Sequence, residues 1–278
     1  MLIAEGGSTK LDIVIVGSDG ELRMKFPGIN PYYQTADEMY DLLKDTELAK
    51  FSGRDDVKEV FYYGAGVANQ AKRDVIISLF KRLLKSERVC AESDLLAAAR
   101  GSLGHNSGVI AILGTGANSG LYDGEYVVRN VSSLGFMLGD EGSGAYLGKR
   151  LVADVLKGLL STKMTDAFFD MFKTSQEEIM DRVYHGDFPN RYLASFVPFL
   201  ASNREDAQIG KLIRDAFDEF FKRNIEPYQI QGDKTIMFVG GVAEEFSEIL
   251  AEVAARYGFK MLGVCKSPLQ GLIEYHKA

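Results

Sequence analysis

Metal-binding and redox chemistry have little to work with in this sequence. Its 278 residues include two cysteines, Cys90 and Cys265, and three histidines, His105, His185 and His276. No CxxC occurs, and the histidines form neither an HExxH nor another paired spacing, which argues against a zinc knuckle or a zinc hydrolase. Both cysteines lie in apolar stretches and read as reduced core residues of a cytoplasmic protein. Long apolar runs are missing as well. The opening MLIAEGGSTK breaks at Glu5, unlike a signal peptide, and no later stretch is apolar enough to span a bilayer. Nor is there an excess of positive charge: 32 Lys and Arg stand against 39 Asp and Glu, a net charge of −7. Nucleic acid and anionic membrane are therefore not expected as partners. Any phosphate site has to be local, built from backbone amides and a metal. No low-complexity segment or long linker is visible.

What is present is an ordinary globular composition, 46% hydrophobic and 26% charged, long enough for two domains. Two glycine-rich turns of similar chemistry each leave an apolar strand, LIAEGGSTK at 2–10 and VIAILGTGANSG at 109–120. Such turns place consecutive N–H groups and small hydroxyls at a strand end with no side chain in the way, a concavity suited to phosphate oxygens. One turn alone is most simply a hairpin. Two, each opening its own α/β half, point to a duplicated domain around a nucleotide.

The first part reads β-β-β-α-β-α-β-α, with helices over ADEMYDLLKDTELAKF, NQAKRDVIISLFKRLLKS and SDLLAAARGSL. Ser18-Asp19-Gly20 is the turn of its hairpin. The second part restarts with VIAILGTG and hairpin strands, is mostly helical over 143–228, and returns to alternating β and α from TIMFVGG, through a helix over EEFSEILAEVAARYG. The fold class expected is α/β, with domains over 1–105 and 106–268, a helical insertion in the second, and a final helix at 269–278 crossing back to the first.

Several groups carry candidate chemistry. Gly7, Ser8, Thr9 and Lys10 form one cradle, with Glu5 at the strand end placed to help hold Mg²⁺. Gly114, Thr115 and Gly116, followed by Asn118, form the other. In GFMLGDEGSG, two adjacent carboxylates precede a helix, which capping explains. Capping does not require Gly139, Gly142 and Gly144, and close approach of a ligand accounts for them better. Ser93-Asp94 reads equally as an N-cap pair or as a general base at a strand end. Gly240 and Gly241 end a strand where a flat ring can lie against backbone, though a compact βα turn explains them as simply. The aromatic run AFFDMF reads as core or dimer surface, and the helical stretch offers a face for a homodimer.

These pieces, in this order, resemble the family of eukaryotic-type N-acetylglucosamine kinases and BadF/BadG-type ATPases, within the superfamily of sugar kinases and actin. The resemblance runs over nearly the whole chain. It rests on LIAEGGSTK, LGTGAN, LGDEGSGAYLGKR, FVGGVA and SPLQGLIEYH, with GDEGS and GTGxN together its most specific part. It implies two RNase H-like, actin-like ATPase domains hinged around ATP, and ATP-dependent phosphorylation of an N-acetylated amino sugar, N-acetylglucosamine foremost, at O6.

By the same resemblance, Gly7, Ser8, Thr9, Lys10, Gly114, Thr115 and Gly116 bind the phosphates. Asp94 is the catalytic carboxylate, Asn30, Asn118 and Asp140 face the sugar, and Gly240 and Gly241 belong to the adenosine motif. One position departs from the family: it has Asp at the end of the first strand, where this chain has Glu5. The extra methylene moves the carboxylate by about a bond length, which matters where phosphoryl transfer depends on positioning. Three rival readings remain: an ATPase without a sugar acceptor, a non-catalytic sugar or nucleotide sensor, and an activator whose [4Fe–4S] cluster would need cysteines in a loop.

Overall fold

The computed structural model describes residues 1–7, 10–18 and 20–277. The chain divides into two compact units, Met1–His105 with the segment from Pro268 onward, and Asn106–Ser267.

In the first unit five strands form one sheet: β1 (Leu2–Gly6), β2 (Lys10–Gly17), β3 (Gly20–Pro27), β4 (Glu59–Gly64) and β5 (Arg88–Ser93), in the order β3-β2-β1-β4-β5. β1 is antiparallel to β2 and parallel to β4, and β4 is parallel to β5. The residues explain the order. Leu11 to Ile15 in β2 are buried without alternation, as in a strand covered on both faces, whereas β3 is mostly exposed and lies at the edge. Helix Gln70–Leu84 is capped by Asn69, whose side chain accepts from the Lys72 N–H, and presents Ile76, Leu79, Phe80 and Leu83 to the core.

The second unit repeats this plan. Its strands are β6 (Gly108–Leu113), β7 (Ala117–Tyr122), β8 (Val127–Val131), β9 (Thr235–Val239) and β10 (Lys260–Cys265). Their order, β10-β9-β6-β7-β8, is that of the first sheet read from the other edge, with the same senses of pairing. Both sheets are therefore the RNase H-like arrangement that the resemblance implied. Between β8 and β9 lies the helical insertion. Its core is aromatic, with Phe168, Phe196, Phe199, Phe217, Phe220 and Phe221 all buried. Among the described residues, no helix is long and apolar enough to cross a membrane.

Three local expectations are corrected. The helix read over ADEMYDLLKDTELAKF ends at Leu43, and a separate 3₁₀ turn covers Glu47–Phe51. The break lies at Thr46, whose hydroxyl donates to the Leu43 carbonyl at 2.7 Å and so competes with continued helix. The helix read over EEFSEILAEVAARYG is two pieces, Gly241–Glu245 and Ser247–Arg256. Cys90 and Cys265 are half-buried rather than core residues, and neither is in a disulfide.

The closing helix Leu269–Lys277 packs on helix Asp94–Leu103 at a crossing that leaves no room for side chains: a Cβ on Gly271 would overlap the Gly101 carbonyl, and one on Gly101 would meet Pro268. Its far end is held by a polar chain. Arg100 Nη1 donates to the Tyr63 hydroxyl oxygen at 3.0 Å, and Tyr63 Oη lies 2.8 Å from His276 Nε2. With Arg100 as donor to the phenol oxygen, the Tyr63 proton goes to His276, whose ring is neutral and stacks on Phe61 at 3.8 Å. Burial, aided by the Arg100 charge, lowers the His276 pKa from 6.5 to about 4.

The unfolded chain therefore binds a proton here between pH 6.5 and about 4 that the folded chain does not. Stability from this site is fully present above that window and falls as the pH drops through it. For a partly exposed ring the effect at pH 5 is about 1 kcal/mol, or roughly 2–4 °C in Tm. Thermal melts at pH 7.5 and pH 5 should show this excess loss in the native protein and not in His276→Gln.

Candidate functional site

In the first unit the strand ends assemble the candidate groups. Gly6, Gly64 and Ser93 are aligned neighbours across β1, β4 and β5. At a strand spacing of about 4.8 Å, the start of the first turn and the start of the helix that begins with Asp94 lie roughly 10 Å apart on one sheet edge. The Gly7 N–H donates to the Lys10 carbonyl at 2.9 Å, closing the hairpin. Ser8 and Thr9 lie outside the described residues. Gly6 and Gly64 have a packing reason to be glycine, because a Cβ on either would overlap the buried Tyr62 hydroxyl.

Lys10 Nζ sits 2.8 Å from Asp12 Oδ2, and Lys25 stands 3.8 Å from the other oxygen of the same carboxylate. The hydrogen bond to Asp12 raises the Lys10 pKa, and the Glu5 charge adds to it. Glu5 and Asp12 are directly opposed across β1 and β2, so both carboxylates share one face. Among the described residues no group of three or more His, Cys, Asp or Glu side chains is placed to cage a metal. One or two carboxylates at a phosphate-binding turn is the donor set Mg²⁺ takes when substrate phosphates and waters complete its shell. The residues present fit that ion, and they offer no thiolate set for an iron–sulfur cluster.

Asp94 opens its helix with Ser93 as N-cap, and its Oδ1 accepts from the Leu95 N–H at 2.8 Å. The carboxyl keeps contact with solvent, but the protein around it desolvates it and raises its pKa. Tyr62 lies near enough for the Asp94 charge to reinforce the upward shift that burial imposes on the phenol, which stays protonated. Asn30 is buried, its Oδ1 accepting from the Tyr32 N–H at 2.9 Å while its own N–H donates to Gln34 Oε1 at 2.8 Å. Gly66, at φ +82°, lies so close that a Cβ would overlap the Asn30 amide. The Asn30 loop is thereby seated on the loop after β4.

In the second unit the turn after β6 is held from behind. The carbonyls of Gly114 and Thr115 accept from the Gly144 and Ala145 N–H groups at 2.8 and 3.0 Å, so the first turn of helix Gly144–Leu156 grips the backbone. Asp140, at φ +56°, adds its carboxylate, which accepts from the Ala117 N–H and the Ser133 hydroxyl. Burial raises the Asp140 pKa, and these hydrogen bonds oppose the shift. The structure thus places Asp140 beneath the turn, as a brace. Among the described residues, the Thr115 and Gly116 N–H groups and the Thr115 hydroxyl take no partner. These are the donors a phosphate needs.

Glu141, beside it, is buried and accepts from Asn224 Nδ2 at 3.1 Å. The Asn224 carbonyl in turn accepts from the Ser119 hydroxyl at 3.2 Å. Asn118 Oδ1 accepts from Asn130 Nδ2 at 2.8 Å.

Glycines separate into those the fold demands and those it does not. Gly139 abuts the Ser133 carbonyl, Gly142 at φ +75° abuts Phe220, and Gly144 packs on Ala194. Internal packing therefore accounts for all three, against the expectation of close ligand approach. Gly240, at φ +118°, abuts the Leu113 carbonyl, and a Cβ on Gly116 would press on the Asp140 carboxylate at 3.1 Å. Around Gly114 and Gly241, by contrast, a Cβ would meet nothing within 4 Å. Gly241 borders a cavity of about 440 Å³, walled by Pro198, Ala201 and Val242 and rimmed by Arg204, which donates to the Glu245 carbonyl at 3.0 Å. A larger hollow of about 760 Å³ beside Gly17, Gly20 and Phe51 lies at the opposite edge of the first sheet, away from these groups.

Comparison with solved structures shows the family. A protein from Porphyromonas gingivalis, provisionally named an N-acetylglucosamine kinase, superposes with a TM-score of 0.91 at 36% identity, over 99% of this chain and 98% of that one. The chain belongs to this N-acetylglucosamine kinase-type family of sugar kinases. Beyond the family the likeness is one of fold. A second protein provisionally given that name, from Chromobacterium violaceum, matches at a TM-score of 0.75 and 21% identity over 99% and 98% of the two chains. A ROK family glucokinase from Streptomyces griseus, solved with glucose and AMPPNP, matches at 0.54 and 15% over 100% and 98%. No protein-family model and no curated protein matches the sequence.

Residues absent from the sequence reading lie beside the candidate groups of each unit, Asp12 and Tyr62 in the first and Asn130, Asn224 and Arg204 in the second. Only Asp12 carried a signal, a lone carboxylate in an otherwise apolar strand. The glycine accounting is testable by melting. Gly114→Ala and Gly241→Ala should leave Tm within about 1 °C, whereas Gly240→Ala, strained and colliding with the Leu113 carbonyl, should lose about 1–3 kcal/mol.

Proposed function

We propose that this protein transfers the γ-phosphoryl group of ATP to a hydroxyl of an N-acetylated amino sugar, with N-acetylglucosamine the leading acceptor and O6 the hydroxyl. The observation that carries the reading is Asp94: a carboxylate with a raised pKa, at the strand end aligned with the first turn, held by the Leu95 N–H and its own backbone N–H. As the sugar oxygen attacks the γ-phosphorus and the bond to the bridging oxygen of ADP breaks, Asp94 takes the hydroxyl proton. The full-length likeness to a protein bearing the N-acetylglucosamine kinase name supports the substrate class.

In this reading Gly7, Ser8, Thr9 and Lys10 on one side and Gly114, Thr115 and Gly116 on the other hold the phosphates through N–H groups and hydroxyls. Glu5, with Asp12 opposite it, would be the carboxylates that hold Mg²⁺, which would supply positive charge against that developing on the phosphates. The open backbone at Gly241, following Gly240, and the adjoining cavity take the adenosine. Asn30 and Asn118 meet the sugar. Asp140 serves the sugar by fixing the turn that leads to Asn118. The enzyme works where ATP is supplied, in the cytoplasm.

ADP release from MgATP, measured against N-acetylglucosamine, N-acetylmuramic acid, N-acetylmannosamine, glucosamine and glucose with a no-sugar control, tests the proposal. Release confined to one or two N-acetyl sugars is expected. Release without sugar would mean an ATPase, and silence with ATP bound would mean a sensor that Glu5 has left without chemistry. Asp94→Asn should lower turnover roughly 10²–10⁴-fold with nucleotide affinity retained. Near-normal turnover would remove Asp94 from the role of base.

A further inference from the structure

Asn118 on β7 and Asn130 on β8 are diagonal neighbours, Asn130 pairing with Gly120, and the backbone between them determines which way each amide points. The Ser119 N–H can only donate, and it lies 2.9 Å from the Asn118 amide, so the atom it meets is Oδ1. The Ser119 carbonyl can only accept, and the Asn130 amide atom 2.6 Å from it is Nδ2. That same nitrogen donates to Asn118 Oδ1 at 2.8 Å. Asn118 Oδ1 therefore accepts twice, and among the described residues its two Nδ2 protons take no partner.

The Ser119 backbone that sets this polarity does not drift. The Ser119 hydroxyl is fully buried and bonded to Tyr228 Oη at 2.9 Å, and that oxygen accepts from the Val131 N–H at 3.1 Å on β8.

We infer that Asn130 is a positioning residue that locks Asn118 as a donor-only group, so that the acceptor sugar meets it with a hydrogen-bond acceptor, a carbonyl or hydroxyl oxygen. This rests on the proposed placement of Asn118 at the sugar. A site that offers only N–H here disfavours a protonated amine, since two sets of donors would face each other. It suits a neutral N-acetylated sugar over the corresponding free amine. Asn130 itself needs no contact with substrate. Replacing its Nδ2 by a carboxylate oxygen sets one acceptor against both Asn118 Oδ1 and the Ser119 carbonyl. Asn118 then either stays beside a repelling oxygen or turns its amide over and takes the acceptor from the Ser119 N–H; in both cases its orientation is no longer fixed.

Steady-state kinetics of Asn130→Asp and Asn118→Ala, alone and combined, against the best N-acetyl sugar and against ATP, test this. Asn130→Asp is expected to raise KM for the sugar roughly three- to thirtyfold, with KM for ATP unchanged and the melting temperature close to native. In the Asn118→Ala background, Asn130→Asp should add little, because the group it orients is gone. Asn130→Ser, which keeps a donor and brings no charge, should be milder than Asn130→Asp. If Asn118→Ala raises the sugar KM and Asn130→Asp does not, the positioning role is overturned while the sugar-facing role of Asn118 stands. If Asn118→Ala leaves the sugar KM at its native value, the placement of Asn118 fails and the inference with it. Equal effects of Asn130→Asp with and without Asn118 would also overturn it.

Discussion

A turn made of Gly114, Thr115 and Gly116 has almost no side chains with which to hold its own shape, and donors that point at a ligand have to be held from the other side. Here that support is backbone hydrogen bonding from the Gly144 and Ala145 N–H groups into the carbonyls of Gly114 and Thr115. A helix N-terminus often receives an anion directly. In this unit the first N–H groups of the helix are used instead to secure the peptide that presents Thr115 and Gly116. Asp140 completes the support through the Ala117 N–H, in a left-handed backbone conformation that its neighbours must hold in place. Gly139, Gly142 and Gly144 follow from this, because the loop from 139 to 144 folds tightly enough that a Cβ at 139 would overlap the Ser133 carbonyl and one at 142 or 144 would press on Phe220 or Ala194.

The same economy governs the first unit. Each unit orders its strands so that one antiparallel hairpin and two parallel strands end on one edge. The turn after the first strand and the residue after the fifth strand are then close in space, although Gly7 and Asp94 are far apart in the chain. The candidate carboxylate and the candidate turn amides need no long loops in this arrangement. They stand on strand ends whose register the sheet hydrogen bonds determine. The closing helix stabilises this unit through the crossing at Gly101 and Gly271 and through the Arg100–Tyr63–His276 chain, on the helix that Asp94 begins.

Much of this is legible in the sequence alone. Apolar periodicity marks every strand, and turn composition marks both glycine-rich hairpins, because those signals are local. Where the reading failed, a competing interaction lay out of view. Thr46 ended a helix that its pattern would have continued, by bonding back to Leu43. The glycines of GDEGS read as room for a ligand because the Phe220 that crowds Gly142 comes from a distant segment, and the Ser133 carbonyl meets Gly139 only when the short loop between them folds back. Asp12 passed as one residue of an apolar strand until the register put it opposite Glu5.

The sequence by itself determined the class of fold, the duplication, and the two turns with their short hydroxyl side chains, since strand period and glycine content act within a few residues. It also named Asp94 as a carboxylate at a strand-to-helix junction and Asp140 as one just before a helix. Which of these groups supports and which presents was decided only by tertiary structure. The Asp140 carboxylate is taken up by the Ala117 N–H and the Ser133 hydroxyl, and the Asn118 amide oxygen by Asn130, diagonal to it on the neighbouring strand. Hydrogen bonds between residues far apart in the chain depend on distances and directions that only the packed sheets create.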